Sequence, residues 1–153
     1  MSRFDLKIIP DVVWLAAAGL MWLVSALTPP LDIPAWPRLA GMLALLSTGL
    51  GLVIMARVDL ARAGTTFNPT APDRTSNLVT SGVYRFTRNP MYLGMLLALF
   101  ALAVWLSNPY SLALTALFVV YVNRFQIEPE ERVLRVRFGP TYDAYVAEVR
   151  RWI

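Results

Sequence analysis

Thirty-five consecutive residues, Asn89 to Asn123, carry no charge, and charged clusters close on both ends of the run. On one side stands Gly82-Val83-Tyr84-Arg85-Phe86-Thr87-Arg88-Asn89-Pro90-Met91-Tyr92-Leu93-Gly94. On the other stand Glu128-Pro129-Glu130-Glu131, then Arg137-Phe138-Gly139-Pro140-Thr141-Tyr142 and Tyr145. In an apolar medium every backbone N–H and C=O must be satisfied within the segment, so such a run folds as helix. Ser107-Asn108-Pro109 interrupts it, because proline cannot continue a helix interior and Asn-Pro marks a turn. The run therefore reads as a helical hairpin whose two charged ends return to one membrane face, where a site at the lipid–water boundary can form. A bilayer crossing takes about 20 residues. Two crossings need a tight turn and helices reaching the interface; a re-entrant hairpin fits the same residues.

Composition points the same way. The chain of 153 residues is 57% hydrophobic and 16% charged, with a mean hydropathy of +0.53; soluble domains carry about 25% charged residues. There is no Cys and no His. Disulfides, thiolate nucleophiles, Cys/His metal sites and imidazole acid–base catalysis are all excluded, and no metal is expected. The net charge of +4 comes mainly from arginines lying between apolar stretches. That pattern fits cytoplasmic loop charge and contact with membrane lipids, not nucleic acid, which needs an exposed basic face.

Two more apolar stretches precede the hairpin: Val12 to Leu27, ending at Thr28-Pro29-Pro30, and the residues between Arg38 and Arg57. The expected fold is all-α and integral to the membrane, a single domain over 1–153. It has about four transmembrane helices (12–28, 38–56, 90–106 and 109–125), a cytoplasmic loop 57–89 and a C-terminal cytoplasmic tail 126–153 of amphipathic helices. Arg3 and Lys7, the five arginines from Arg57 to Arg88, and the six from Arg124 to Arg151 place both termini in the cytoplasm by the positive-inside rule. A signal peptide is the competing reading of the N-terminus; Asp5, Asp11 and a poor cleavage site at Leu27-Thr28-Pro29 argue against it. Residues 63–81 are turn-rich and read equally as a plain loop or as a lid.

In the tail, Ile127, Val133, Leu134 and Phe138 give a first helix an apolar side. Gly139 stops it, Pro140 opens a second, and Tyr142, Tyr145, Val146, Val149 and Trp152 recur at helical spacing. That helix either lies on the membrane surface or folds under the hairpin and closes a pocket. Gly49 and Gly51 allow close helix packing, within the chain or between protomers; the oligomeric state is not readable.

Arg85 and Arg88 before the hairpin, and Glu128, Glu130 and Glu131 after it, are costly at this depth unless paired or used. They fit interfacial arginines with one structural ion pair. They equally fit a site with a cationic half for a carboxylate and an anionic half for an amine, a ribose hydroxyl or a positive centre. Asn89-Pro90 is also a good helix start, whose free N–H groups can receive an acceptor atom. Gly94, one turn on, lets a backbone or flat ligand come close.

Gly82-Val83-Tyr84 with Arg88-Asn89-Pro90-Met91-Tyr92-Leu93-Gly94 resembles the G-x-Y…R-H-P-x-Y-x-G box of the isoprenylcysteine carboxyl methyltransferase and phospholipid methyltransferase superfamily of integral membrane enzymes. Glu130-Glu131, Leu134, Phe138-Gly139, Tyr142 and Tyr145 resemble its E-E-x-x-L…F-G-x-x-Y-x-x-Y tail, and Asn108-Pro109 falls where the hairpin turns. The resemblance covers about half of the chain. Asn89 stands where the box has His; it can donate and accept hydrogen bonds but carries no proton at neutral pH.

The resemblance implies S-adenosylmethionine as cofactor. Tyr84, Arg88, Asn89, Pro90, Tyr92, Leu93 and Gly94 would enclose it, and Glu130 or Glu131 would meet its amino or ribose groups. Arg88, Glu131 and Arg85 would carry the chemistry on a lipophilic or prenylated acceptor entering from the bilayer. Without His or Cys, an acceptor that is already ionised is favoured; an amine would require Glu130 or Glu131 to have a raised pKa. A membrane reductase related to the sterol reductases, using a nicotinamide cofactor, and a non-catalytic membrane subunit remain the alternatives.

Overall fold

The computed structural model describes residues 9–65 and 76–153. Arg3, Lys7, Arg74 and the centre of the lid candidate lie outside them. Among the described residues six α-helices follow in order: α1 (Pro10–Leu27), α2 (Ala35–Arg62), α3 (Pro90–Leu106), α4 (Pro109–Val122), α5 (Glu128–Phe138) and α6 (Pro140–Glu148). One turn of 3₁₀ helix, Gly82–Arg85, precedes α3, and a five-residue π turn, Asn123–Ile127, joins α4 to α5.

Local chemistry explains these limits. Pro10 occupies the first turn of α1, where its missing N–H costs nothing, and Pro29-Pro30 prevents continuation past Thr28. α2 was expected to give way to loop at residue 57 and instead continues to Arg62. Arg57 ends the apolar stretch, but charge does not end a helix; Gly64, in the left-handed region at φ +65°, does. Asn108 caps α4 by accepting from the Ser111 N–H at 2.9 Å. The π turn has a cause in Pro129, which cannot donate to the Phe125 carbonyl and whose ring crowds it; widening the preceding turn relieves both.

α1, α2 and the continuous helix Pro109–Phe138, apolar and charge-free as far as Asn123, are long and apolar enough to cross a membrane. α3 has 17 residues, about 25 Å at 1.5 Å per residue, against a hydrocarbon core of about 30 Å. Leu15, Trp22, Leu50, Leu117 and Val120 are 58–65% exposed, an outward apolar surface suited to lipid rather than water.

The helices pack around α3. Against α2 the approach is very close: a Cβ on Gly49 would lie 2.7 Å from the Gly94 carbonyl oxygen, and one on Gly94 2.6 Å from that of Gly49. Against α1 and α4, Met21, Tyr92, Leu96, Leu99, Phe118, Val122 and Ile127 form the main core. Trp14 donates to the Met95 carbonyl (2.9 Å) and Ser111 to that of Met21 (2.8 Å). At the end away from the charged clusters, Ser107 and Leu31 exchange two hydrogen bonds and Asn108 donates to Thr28. The two loops there are thus tied, and α1–α2 is held in register with the hairpin.

Candidate functional site

The hairpin brings its two charged ends together. Tyr92, in the first turn of α3, donates its hydroxyl hydrogen bond to Glu130 Oε1 at 2.5 Å, and Arg88 Nη2 donates to Glu131 Oε1 at 2.9 Å. The two partners lie 38 and 43 residues away along the chain. The continuous α4–α5 helix, which contains the π turn, carries Glu130 and Glu131 back to the start of α3.

A third element completes the cluster. α6 ends at Glu148, and residues 149–152 leave helical geometry to lie across residues 87–89. The Arg150 carbonyl accepts from the Arg88 backbone N–H (3.1 Å), and the Arg151 carbonyl accepts from Asn89 Nδ2 (2.9 Å) and Thr87 Oγ1 (3.3 Å). Arg151 grips Glu131 with both Nε (3.2 Å) and Nη2 (2.7 Å). Trp152 donates to Asn123 Oδ1 at 3.1 Å.

The helical spacing expected to run through Trp152 therefore stops short. The strongly polar start of α3 offers the tail carbonyls better partners than another helical turn would. Asn89 occupies the cap position of α3, but its side chain does not cap the helix. It is committed to Arg151.

Burial sets the electrostatics. Glu130 is buried, and its carboxyl is pushed up to about 8, first by desolvation; the Tyr92 hydrogen bond pulls it down, and the Glu131 charge raises it further. Burial also raises Tyr142 to about 12 and holds Tyr84 and Tyr145 well above the ordinary phenol range. Hydrogen bonding to Glu131 raises Arg151. Arg88, only 10% exposed in its side chain, also donates through Nη1 to the Val146 carbonyl, while its Nε is buried with no partner.

The other expected site residues fall as follows. Tyr84 is buried in the 3₁₀ turn, and its carbonyl accepts from the Tyr145 hydroxyl at 2.7 Å. Pro90 and Leu93 are buried at the α3 start. Gly94 faces Gly49 in the α2–α3 crossing, so the backbone it admits is α2. Arg85 is exposed and makes no ion pair among the described residues.

Sequence reasoning missed Asp59, Thr87, Arg151 and Trp152. Asp59 accepts from the Val83 N–H at 2.9 Å, fixing the turn that carries Tyr84; the glycine at 82, where a Cβ would run into the Asp59 carboxylate, is the sequence signal for that contact. Tyr92 also walls a cavity of about 210 Å³ with Asp11, Val53, Arg57, Met91 and Met95. One aromatic ring thus borders both the ion cluster and a space between helices.

An all-helical chain with outward apolar faces and a polar cluster gathered at one end of its helices defines an integral membrane protein with a boundary-sited polar centre. Comparison with known proteins supplies the family. Residues 37–141 match the phospholipid methyltransferase family model, and the chain belongs to that family. It is 31% identical over 141 residues to protein-S-isoprenylcysteine O-methyltransferase B of Arabidopsis thaliana, covering 86% of this chain and 70% of that one. It is 34% identical over 121 residues to the protein-S-isoprenylcysteine O-methyltransferase of Mus musculus, covering 74% of this chain and 43% of that one, so it spans less than half of the mouse relative. An uncharacterized protein of Haemophilus influenzae is 41% identical over its full length, 63 residues, covering 41% of this chain. No solved structure matches.

Proposed function

We propose that this chain is an S-adenosylmethionine-dependent methyltransferase, isoprenylcysteine carboxyl methyltransferase-like, acting on a lipophilic acceptor at the cytoplasmic membrane face. The four apolar helices cross the bilayer with both termini in the cytoplasm. The observation that carries the reading is the convergence of Arg88, Tyr92, Glu130 and Glu131 at the base of an apolar hairpin, in a chain of this family.

The donor set suits the cofactor. Arg88 has a buried Nε without a partner, Glu130 is a carboxyl group able to meet an amino or hydroxyl group, and Tyr84 and Tyr92 are aromatic walls. When bound, the cofactor supplies a methyl group on a sulfonium. The chain's residues then have three tasks: to align the acceptor, to exclude water and to manage protons. Tyr92 and Leu93 shield the site on the hairpin side. Arg88 orients an anionic group, with Arg85 at the exposed rim; Asn89 holds residues 150–152 across the site. The cavity beside Tyr92 gives an apolar acceptor a way in from between the helices.

An acceptor that is already ionised, a carboxylate or a readily ionised thiol, needs no base. A second reading, an amine lipid, draws support from Glu130. A carboxyl titrating at about 8 is partly ionised at neutral pH and can take an amine proton at its own oxygen.

The test is transfer of a labelled methyl group from S-adenosylmethionine, by the purified chain in lipid, to a prenyl thiol, a prenylcysteine carboxylate and phosphatidylethanolamine. Labelling of one acceptor class identifies the substrate. No labelling of any, by folded protein that also fails to bind the cofactor, refutes the methyltransferase.

A further inference from the structure

We propose that Arg88 and Arg151 together form a carboxylate-binding fork, and that Glu131 is the positioning residue that holds the two guanidinium groups in register. The inference rests on the function proposed above and assigns a ligand group to a residue that the family motifs do not reach.

The geometry inverts what the sequence suggests for Glu131. A carboxylate offers about four acceptor positions. Three are taken: one by Arg88 and two by Arg151, at 2.9, 3.2 and 2.7 Å. What remains has little capacity for a ligand's amino group. At Glu131 two guanidinium groups meet one carboxylate, and Glu130 beside it is mostly protonated at neutral pH; the centre is net positive and attracts anions, with Glu128 acting on Arg151 from outside it.

The donors are in surplus. Each guanidinium carries five N–H groups. Arg88 spends one on the Val146 carbonyl and one on Glu131, and its Nε is buried without a partner. Arg151 spends two on Glu131, and its side chain is one-third exposed, so its other donors can be reached. An unpaired donor on a guanidinium this buried is unfavourable until something accepts from it. Planar, bidentate acceptance is what a carboxylate provides.

Arg151 is also fixed in place. Its carbonyl is held by Asn89 and Thr87, the preceding carbonyl by the Arg88 backbone N–H, and the following indole by Asn123. Backbone and side-chain bonds on both flanks settle its direction before any ligand arrives, and such preorganisation converts a surface cation into a binding group. The carboxylate has two possible sources: the cofactor's amino-acid end, or a lipophilic acceptor bearing an acid.

Equilibrium binding to the intact chain in detergent separates these. Two ligand pairs, each differing by one carboxylate, are compared: S-adenosylmethionine with its decarboxylated form, and N-acetyl-S-farnesylcysteine with its carboxamide. The fork predicts that in one pair the acid binds at least tenfold tighter, and that Arg151→Gln abolishes that preference. Arg150→Gln, which removes an equal charge from an exposed neighbour, keeps it, and Arg151→Lys restores it in part. The pair that responds identifies the source. If the farnesyl pair responds and neither adenosyl compound binds, the fork stands and the methyltransferase falls. If S-adenosylmethionine binds but neither pair shows a preference, or the preference survives Arg151→Gln in a variant of native helicity, the fork is refuted and the methyltransferase stands. Binding of no ligand by folded protein refutes both.

Discussion

Glu130→Gln is the sharpest perturbation the structure offers. The substitution keeps the size of the side chain and an oxygen that can accept from the Tyr92 hydroxyl, and removes only the titration. Glu130 is buried, with its carboxyl raised from 4.5 to about 8. Below pH 4.5 folded and unfolded chains both hold the proton, and the group contributes no pH dependence. Between 4.5 and 8 the unfolded chain has lost the proton while the folded chain retains it. Unfolding then releases a proton, and rising pH favours the unfolded chain. Above 8 both are ionised and the loss is complete. At about 1.4 kcal/mol per pH unit, the ceiling over this window is about 5 kcal/mol, a large fraction of the 5–15 kcal/mol typical of a domain. Relaxation around the buried charge lowers that figure to a few kcal/mol. The assay is the apparent unfolding midpoint in detergent, followed from pH 5 to 8.5 for both proteins. The wild type loses stability steadily across the window, and Glu130→Gln stays flatter and becomes the more stable of the two above pH 7. Infrared spectroscopy adds a direct readout, a carboxylic-acid C=O band near neutral pH that the variant lacks. Parallel pH profiles with no such band would refute the assignment of a protonated Glu130.

Other expectations follow from the same geometry. Gly49→Ala places its Cβ 2.7 Å from the Gly94 carbonyl oxygen and forces α2 from α3, at about 1–3 kcal/mol; Gly51→Ala meets nothing within 4 Å and leaves the melting midpoint unchanged or slightly raised. Arg88→Ala removes one of the two guanidinium partners of Glu131 and the donor to the Val146 carbonyl and costs about 1–3 kcal/mol, whereas in the Glu131→Gln background the same change costs much less, so a double-mutant cycle on unfolding midpoints reads the coupling. Gly82→Ala meets the Asp59 carboxylate and strains a residue at φ +60°. Hydrogen exchange should accelerate at residues 82–86 while the α3 amides beyond Leu96 remain protected.

Much of this arrangement was legible in the chain because it follows from where charge is absent. The uncharged run broken at Asn108-Pro109 gives the hairpin, and the hairpin alone brings Arg88 to Glu131 and Tyr92 to Glu130. Asn108 could be read as a turn from local chemistry. The extent of α2 could not: Arg57 ends the apolar pattern but not the helix, since hydropathy reports the surroundings and only Gly64 reports the backbone. Arg151 was hidden for a different reason. Its position depends on carbonyl groups, which every residue has and no residue type advertises, meeting donors some sixty residues away. Gly94 was read correctly as a point of close approach, but which surface approaches it depends on how α2 and α3 cross, and one glycine cannot specify that.

The cofactor site is tested by calorimetric titration of S-adenosylmethionine into the detergent-purified chain, alongside Arg88→Lys, which keeps the charge and loses the planar fork. Binding is expected with a dissociation constant on the order of micromolar, weakened at least tenfold by Arg88→Lys in a variant of unchanged helicity. A folded wild-type chain that takes up no S-adenosylmethionine, or that binds it equally well without the Arg88 guanidinium, would contradict it.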